Sequence, residues 1–530
     1  MYDILITKGR LYDGTGAPWF EADVAVENGK IVGVGKALSG HARDVIDASG
    51  LAVAPGFIDI HTHSDSVFLA NPGADSKVRQ GVTFEVGGNC GGSVAPLTAR
   101  TRESEKESLA ESGVELTWSS MAEYFQVLEK NGMPVNFACL AGHGTIRQGV
   151  MGFDQRPPTA DELGEMKRLV AGAMDDGALG MSTGLIYAPG SYADTPEIIE
   201  LARVVAQKNG LYFTHMRNER DHLLDSVRET IEIGKTAGLP IQIAHHKVSN
   251  REHWGEVKQS LAMLEQARAD GVDVTCDQYP YTASSTSLNT ILPGWAHEGG
   301  REAMLARLLD PATREALKAV VCDEQERAAG WDRLIISKVQ TEANKRFEGM
   351  SIAEVAALRG SNPCDTALDL LIEERCSVSH LRVAMCDEDV ETVMKSRLVM
   401  VGSDGSSLSD YGVLRRGKPH PRNFGAFVRV LGKYVREKHV LTLEDAIRKM
   451  TSLPAWRLGL WDRGVLRPGV WADITVFDPD KVDDVADFNE PFRYATGVNY
   501  VLVNGQITVD SGQYTGKKAG RVLRRRGTAA

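Results

Sequence analysis

At 530 residues the chain is longer than a single hydrophobic core usually serves, so one large domain with at least one smaller one is expected. With 42% hydrophobic and 25% charged residues it reads as an ordinary soluble globular protein. The 71 acidic against 60 basic residues leave a formal charge of -11, which argues against nucleic acid or an acidic membrane surface as partner.

No apolar run approaches the roughly 20 residues that a membrane span needs. Met1-Tyr2-Asp3-Ile4 is not a basic region leading into an apolar one, so the expected location is cytoplasmic. The seven cysteines are odd in number and scattered, which suits reduced thiols better than a disulfide framework.

From the start of the chain, residues 4–8, 22–27 and 30–34 read as short strands, with Asn28-Gly29 turning between the last two. The same grammar returns in 472–477, 500–503 and 506–509, with Asn504-Gly505 as the turn, which suggests one small β-sandwich built from both termini. Between them strand and helix alternate. Thr159 with Glu162 makes a capping box for a helix over 162–174, and Asp194-Thr195-Pro196 opens one over 197–208. Helical stretches over 221–235 and 256–269 separate further apolar runs. Eight runs of strand length (57–63, 82–87, 135–141, 177–185, 211–217, 240–247, 272–281 and 398–402) predict a (β/α)8 TIM-type barrel. The interval between residues 281 and 398 is too long for one crossover; its helical composition over 301–309 and 311–321 implies an inserted subdomain able to act as a lid. The expected division is 1–54 and 461–530 for the β-sandwich and 55–460 for the barrel, with a helical insertion at about 286–390. The basic stretch 521–526 reads as a solvated tail.

A barrel places working side chains at the C-terminal ends of its strands. His61 and His63 close the first run, and alternation puts both imidazoles on one face. The second run leads into Gly87-Gly88-Asn89-Cys90-Gly91-Gly92, a loop rather than a core, so Cys90 reads as a ligand despite the usual burial of free cysteines. His215, His245 and Asp404 end later runs, while His246 alternates away and His143 lacks a partner pattern; both read as structural. Imidazole, thiolate and carboxylate together suit Zn2+ best, leave Co2+, Mn2+ or Fe2+ as alternatives, and disfavour Mg2+ or Ca2+. Asp404, in Ser403-Asp404-Gly405, is the candidate general base.

These residues resemble the amidohydrolase superfamily, and within it the N-acyl-D-amino acid deacylases (D-aminoacylases). The resemblance is carried by residues 56–63, Gly88-Asn89-Cys90-Gly91, Thr214-His215-Met216-Arg217, His245-His246-Lys247, Tyr279-Pro280-Tyr281, Gly402-Ser403-Asp404-Gly405 and Pro419-His420-Pro421-Arg422. It implies a tight zinc site at Cys90, His215 and His245 and a second, weaker position at His61 and His63 with Cys90. Asp404 would be the catalytic acid/base, and Lys247, Tyr279, Ser285 and Arg422 would bind the substrate carboxylate. It implies a small-molecule substrate and, by itself, the D preference. The loop between Asp404 and Pro419 looks longer than in the family's shorter members, which bears on the pose of Arg422. Two other readings compete. A cyclic-amide hydrolase of the dihydroorotase or hydantoinase type carries a carboxylated lysine on its fourth strand, and 177–185 contains no lysine. A non-catalytic scaffold would be expected to have lost ligands. Nothing in the pattern indicates an oligomeric state.

The segment after Ser285 contains Leu288, Ile291, Leu292 and Trp295 and no Lys or Arg, so it predicts an apolar wall favouring D-Leu, D-Met or D-Phe derivatives over D-Glu or D-Asp. Arg415, Arg416 or Lys418 would reverse that preference by folding over the pocket.

Overall fold

Eight short parallel strands organise the computed structural model, which describes residues 1–525 (the side chain of residue 327 excepted). They are β1 (Phe57–Asp59), β2 (Val82–Gly87), β3 (Asn136–Cys139), β4 (Gly180–Gly184), β5 (Leu211–His215), β6 (Ile241–Ile243), β7 (Val274–Gln278) and β8 (Val399–Val401). β1, β2 and β3 pair in that order; Ala141–Gly142, just past β3, pairs with β4, and the ladder continues in order from β4 to β8. A parallel bridge between Thr62 and Gly405 joins the end of β8 back to the end of β1 and closes the barrel. Ile58 and Ile60, and Phe84 and Val86, are two residues apart and join one buried cluster with Ala138, Phe213 and Met400. The barrel interior is therefore packed below the level at which the loops carry polar side chains.

The helices between strands follow their local signals. Thr159 caps Ala160–Asp175 with the reciprocal Glu162 contact, and Asp194 accepts from Glu197 N to start Thr195–Gln207.

The strands of the two termini hydrogen-bond as one nine-stranded sheet. Its seam is Ala52–Pro55 antiparallel to Ile474–Phe477, and Ile4, Val24, Val53, Ile474 and Leu502 share one core. Asn28-Gly29 and Asn504-Gly505 both have positive φ at both positions, the requirement of a tight two-residue hairpin.

Between β7 and β8 lies a second lobe. Its helices, among them Arg301–Leu309, Pro311–Ala328, Ile352–Arg359 and Pro363–Glu373, bury their own core around Leu317, Leu334 and Leu368. A three-stranded antiparallel sheet, in which Ser379–Val383 runs between Ala283–Ser287 and Leu334–Lys338, joins this lobe to the barrel. The lobe was legible as helices and not as strands, because Ala283-Ser284-Ser285-Thr286-Ser287 has no apolar alternation and only Ala283 is fully buried.

Two expectations change. Cys322 and Cys364 are joined in a disulfide inside the lobe, so the thiols are not all reduced; five cysteines remain free. The pair is 42 residues apart, so no local pattern announced it. The basic end packs on the molecule rather than trailing in solvent: Arg521 stacks on Trp471, Arg524 pairs with Glu129, and Arg525 donates to the Asn209 carbonyl. Arg526, part of that expected tail, lies outside the described residues. Among the described residues no helix is long and apolar enough to cross a membrane.

Candidate metal centre

The strands of the barrel deliver their side chains to one end. His61 follows β1, Cys90 follows β2, His215 ends β5, His245 follows β6 and Asp404 follows β8. His61, Cys90, His245 and Asp404 each offer a donor atom within 4.8 Å of the others; His215, Glu219 and His245 form a second such group. Cys90 Sγ lies 3.4 Å from His61 Nε2 and 3.5 Å from His245 Nε2. The His215 and His245 rings meet edge to face with centroids 4.4 Å apart.

The loops that hold these groups are shaped by glycine. A Cβ on Gly88, whose φ is +71°, would lie 2.1 Å from the Leu140 carbonyl oxygen, so only glycine lets the Cys90 loop pass that close to β3.

The electrostatics prepare Cys90 and His215 as donors, whereas, against burial, Cys90 and the neighbouring carboxylates push His61 and His245 up toward the charged imidazolium. Burial opposes a charged Cys90, but His61 and His245 outweigh it and hold its thiol well below the usual value, as a thiolate. Burial pushes His215 down, leaving a neutral imidazole, and both its ring nitrogens are buried with no hydrogen-bond partner among the described residues. The Cys90 thiolate together with the neutral His215 imidazole, whose nitrogens have no hydrogen-bond partner among the described residues, is a donor pair that fits zinc. Asp404 is opposed by burial, yet Arg422, His245 and His61 hold its carboxyl well below the carboxylate range.

Each expected site residue has a definite place. His61 is buried, with Nδ1 3.1 Å from Asp277 Oδ1, the kind of partner that fixes a ligand's ring orientation. His63 is not a member of either donor group but adjoins the first, with Nε2 3.0 Å from Asp404 Oδ1. Arg422 Nη1 donates to Asp404 Oδ2 at 2.7 Å, so in the structure this cation is committed to the candidate base. Lys247 Nζ is 2.7 Å from Glu219 Oε2, and both Lys247 and Arg422 lie over the face of the Tyr279 ring. Ser285 sits on the Ala283–Ser287 strand and lines the cavity in front of the centre together with Lys247, Tyr279 and Asp404. That cavity is about 940 Å³.

Sequence reasoning missed Glu219 and Asp277. Glu219 lies 2.9 Å from His245 Nδ1 and 3.5 Å from His215 Nε2. It stands in the loop after β5, where a spacing of four from His215 implies no shared face. Asp277 lies within β7 and accepts from Gln242 Nε2 and the His245 amide; its place on a barrel strand was the available signal. The structurally assigned pair behaves as expected: His246 bonds Ser260 Oγ and is pushed down to about 4 by burial, and His143 pairs with Glu197.

The apolar wall is not what faces the cavity. Leu288 and Ile291 are buried in the core of the second lobe, Trp295 is partly exposed, and Leu292 alone of the four reaches the lining.

Comparison with known proteins matches residues 44–509 to the amidohydrolase family. A D-aminoacylase of Alcaligenes xylosoxydans xylosoxydans is 36% identical over 99% of this chain and 98% of its own length. An N-acyl-D-glutamate deacylase of the same organism is 37% identical over 99% of this chain and 96% of its own. A solved N-acyl-D-glutamate deacylase from Bordetella bronchiseptica, complexed with zinc and a phosphonate mimic of the tetrahedral intermediate, superposes with a TM-score of 0.83 at 36% identity, covering 99% of each chain.

Proposed function

Because this chain belongs to the amidohydrolase family, we infer that it is a metal-dependent hydrolase that cleaves the amide bond of N-acyl-D-amino acids to a carboxylic acid and a D-amino acid. One observation supports this most. Four separate strand ends bring His61, Cys90, His245 and Asp404 within 4.8 Å of one another, facing a cavity of substrate size. The D series rests on the relatives' substrates.

We assign Cys90, His215 and His245 to one tightly held zinc, and His61 and His63 with Cys90 to a second, weaker position. When bound, zinc supplies Lewis acidity toward the scissile carbonyl and lowers the pKa of water. Asp404 takes the proton that the attacking water loses and returns it to the amide nitrogen, which leaves as the amine while the acyl group leaves as the acid. Arg422 at 2.7 Å and His63 at 3.0 Å orient Asp404 and keep it ionised between turnovers. Lys247, Tyr279, Ser285 and Arg422 give the substrate's α-carboxylate two cations and two hydroxyls.

A cyclic-amide hydrolase of the hydantoinase type is disfavoured because Gly180-Met181-Ser182-Thr183-Gly184, the whole of β4, offers no lysine to carboxylate. The test is a panel of N-acetyl-D- and N-acetyl-L-amino acids with a hydantoin and dihydroorotate, assayed on zinc-loaded and chelator-stripped protein. Hydrolysis of D derivatives that disappears with chelator and returns with zinc is expected; turnover of the cyclic amides alone would replace this reading with its rival.

A further inference from the structure

The cavity in front of the metal centre has further charged residues. Its lining includes Arg220, Arg382, Ser287 and Ser379 as well as His215, His245 and Asp404. Arg382 lies on the Ser379–Val383 strand opposite Ser284, and the residue is 4% exposed. Both of its terminal nitrogens, Nη1 and Nη2, are buried and have no hydrogen-bond partner among the described residues. A guanidinium carries five donors in a fixed fork, and leaving them unmatched out of water is costly unless an anion completes them.

No carboxylate among the described residues completes that fork: Glu324, which lines the same cavity and attracts Arg382 from a distance, is hydrogen-bonded to Arg220 Nη1 instead. Glu219 is taken by Lys247, and Asp404 by Arg422. Burial and the neighbouring Arg220, only partly offset by Glu324, hold Arg382 well below an ordinary guanidinium, and an incoming carboxylate would favour its charged form. On the assignment proposed above, the substrate's α-carboxylate goes to Lys247, Tyr279 and Ser285, which line the cavity, and to Arg422 in the adjoining one, so it does not call on Arg382. Arg382 is therefore a cation in excess of what an amino acid with a neutral side chain needs.

We propose that Arg382 receives the side-chain carboxylate of the substrate, so that the preferred substrates are N-acyl derivatives of an acidic D-amino acid, D-glutamate or D-aspartate. This replaces the apolar preference drawn from residues 288–295, and the positive charge comes from the sheet of the second lobe rather than from Arg415, Arg416 or Lys418. Arg416 lines a smaller cavity that adjoins the main one at His63, Ser285, Ser379 and Asp404, but its Nη2 donates to the Glu111 carbonyl and it does not line the main cavity itself. The proposal rests on the deacylase reading above.

The decisive measurement is kcat/KM of the zinc-loaded, full-length protein for the N-acetyl derivatives of D-Glu, D-Asp, D-Gln and D-Leu. D-Gln keeps the shape of D-Glu without its charge. A site built around a buried cation rejects the uncharged analogue strongly, so D-Glu or D-Asp should exceed both D-Gln and D-Leu by about 100-fold or more. Arg382→Met should remove most of that advantage while changing the D-Leu rate little, and Arg382→Lys should restore part of it. D-Leu or D-Gln turned over as fast as the acidic derivatives would overturn the proposal and leave the deacylase reading intact. No turnover of any D derivative would overturn both. Equal loss on acidic and neutral substrates in a folded Arg382→Met would also overturn it, by moving Arg382 to the α-carboxylate; the parent's D-Glu to D-Gln ratio decides the matter if that variant does not fold.

Discussion

Cys90, His245 and Asp404 hold positive φ values of 53°, 35° and 51°, a region that costs a non-glycine residue of order 1–3 kcal/mol. Three such residues facing one cluster are explained if their backbone is bent to aim a side chain, and the two most informative substitutions lie among them. Cys90→Ala removes the only thiolate of the donor set. Elemental analysis of the purified variant should show loss of zinc together with loss of activity, and full zinc there would refute Cys90 as a ligand. Asp404→Asn leaves the donors Cys90, His215 and His245 in place but cannot accept a proton. Its zinc content should match the parent while turnover falls by about 10²–10⁴-fold, the usual worth of a general acid/base. A variant retaining more than about a tenth of the parent rate excludes Asp404 from proton transfer.

At the scale of an element, β2 does two jobs. It leads into the Cys90 loop, and it buries Glu85 under the centre, where the hydroxyls of Ser64 and Ser407 donate to the carboxylate. Burial, only partly offset by Lys77, raises the Glu85 carboxyl from 4.5 to about 7. The folded protein then keeps a proton that the unfolded chain releases, so this residue's contribution is complete below about 4.5 and is lost as pH rises toward about 7. At roughly 1.4 kcal/mol per pH unit, the loss is on the order of 3 kcal/mol. Glu85→Gln removes the titration. Its unfolding midpoint relative to the parent should therefore be higher at pH 8 than at pH 4; an offset that does not change between the two would show that Glu85 titrates normally.

For the molecule as a whole, the cavity has two makers. The barrel supplies the metal donors and Asp404, and the second lobe, with its own core and internal disulfide, supplies Ser285 and Arg382 through a sheet laid against the barrel mouth. Chemistry and side-chain selection thus belong to separately packed bodies, and the lobe can vary its lining without disturbing the strands that aim the ligands. The nine-stranded terminal sheet touches neither task directly. Buried Asp473 accepts from the Asn504 amide, Arg463 and the Asn136 side chain on β3, and so ties the C-terminal part of the sheet to the barrel.

What the sequence alone determined is what short-range geometry encodes. Eight apolar runs, five of which lead into His61, Cys90, His215, His245 and Asp404, declare a barrel with these side chains at one end, because strand alternation and the glycines around Cys90 are properties of neighbouring residues. Glu219 and Asp277 stayed hidden, since a loop carboxylate and a strand carboxylate acquire their roles only from the histidines that folding sets beside them. The polar strand carrying Ser285 was equally unreadable without the Ser379–Val383 partner that pairs with it. Only the tertiary structure decided which cation is left over. Arg220 is hydrogen-bonded to Glu324, 104 residues away, and Arg422 to Asp404 across a loop, while Nη1 and Nη2 of Arg382 have no hydrogen-bond partner among the described residues. Charge pairing in a protein interior is a property of the finished packing, and no spacing along the chain records it.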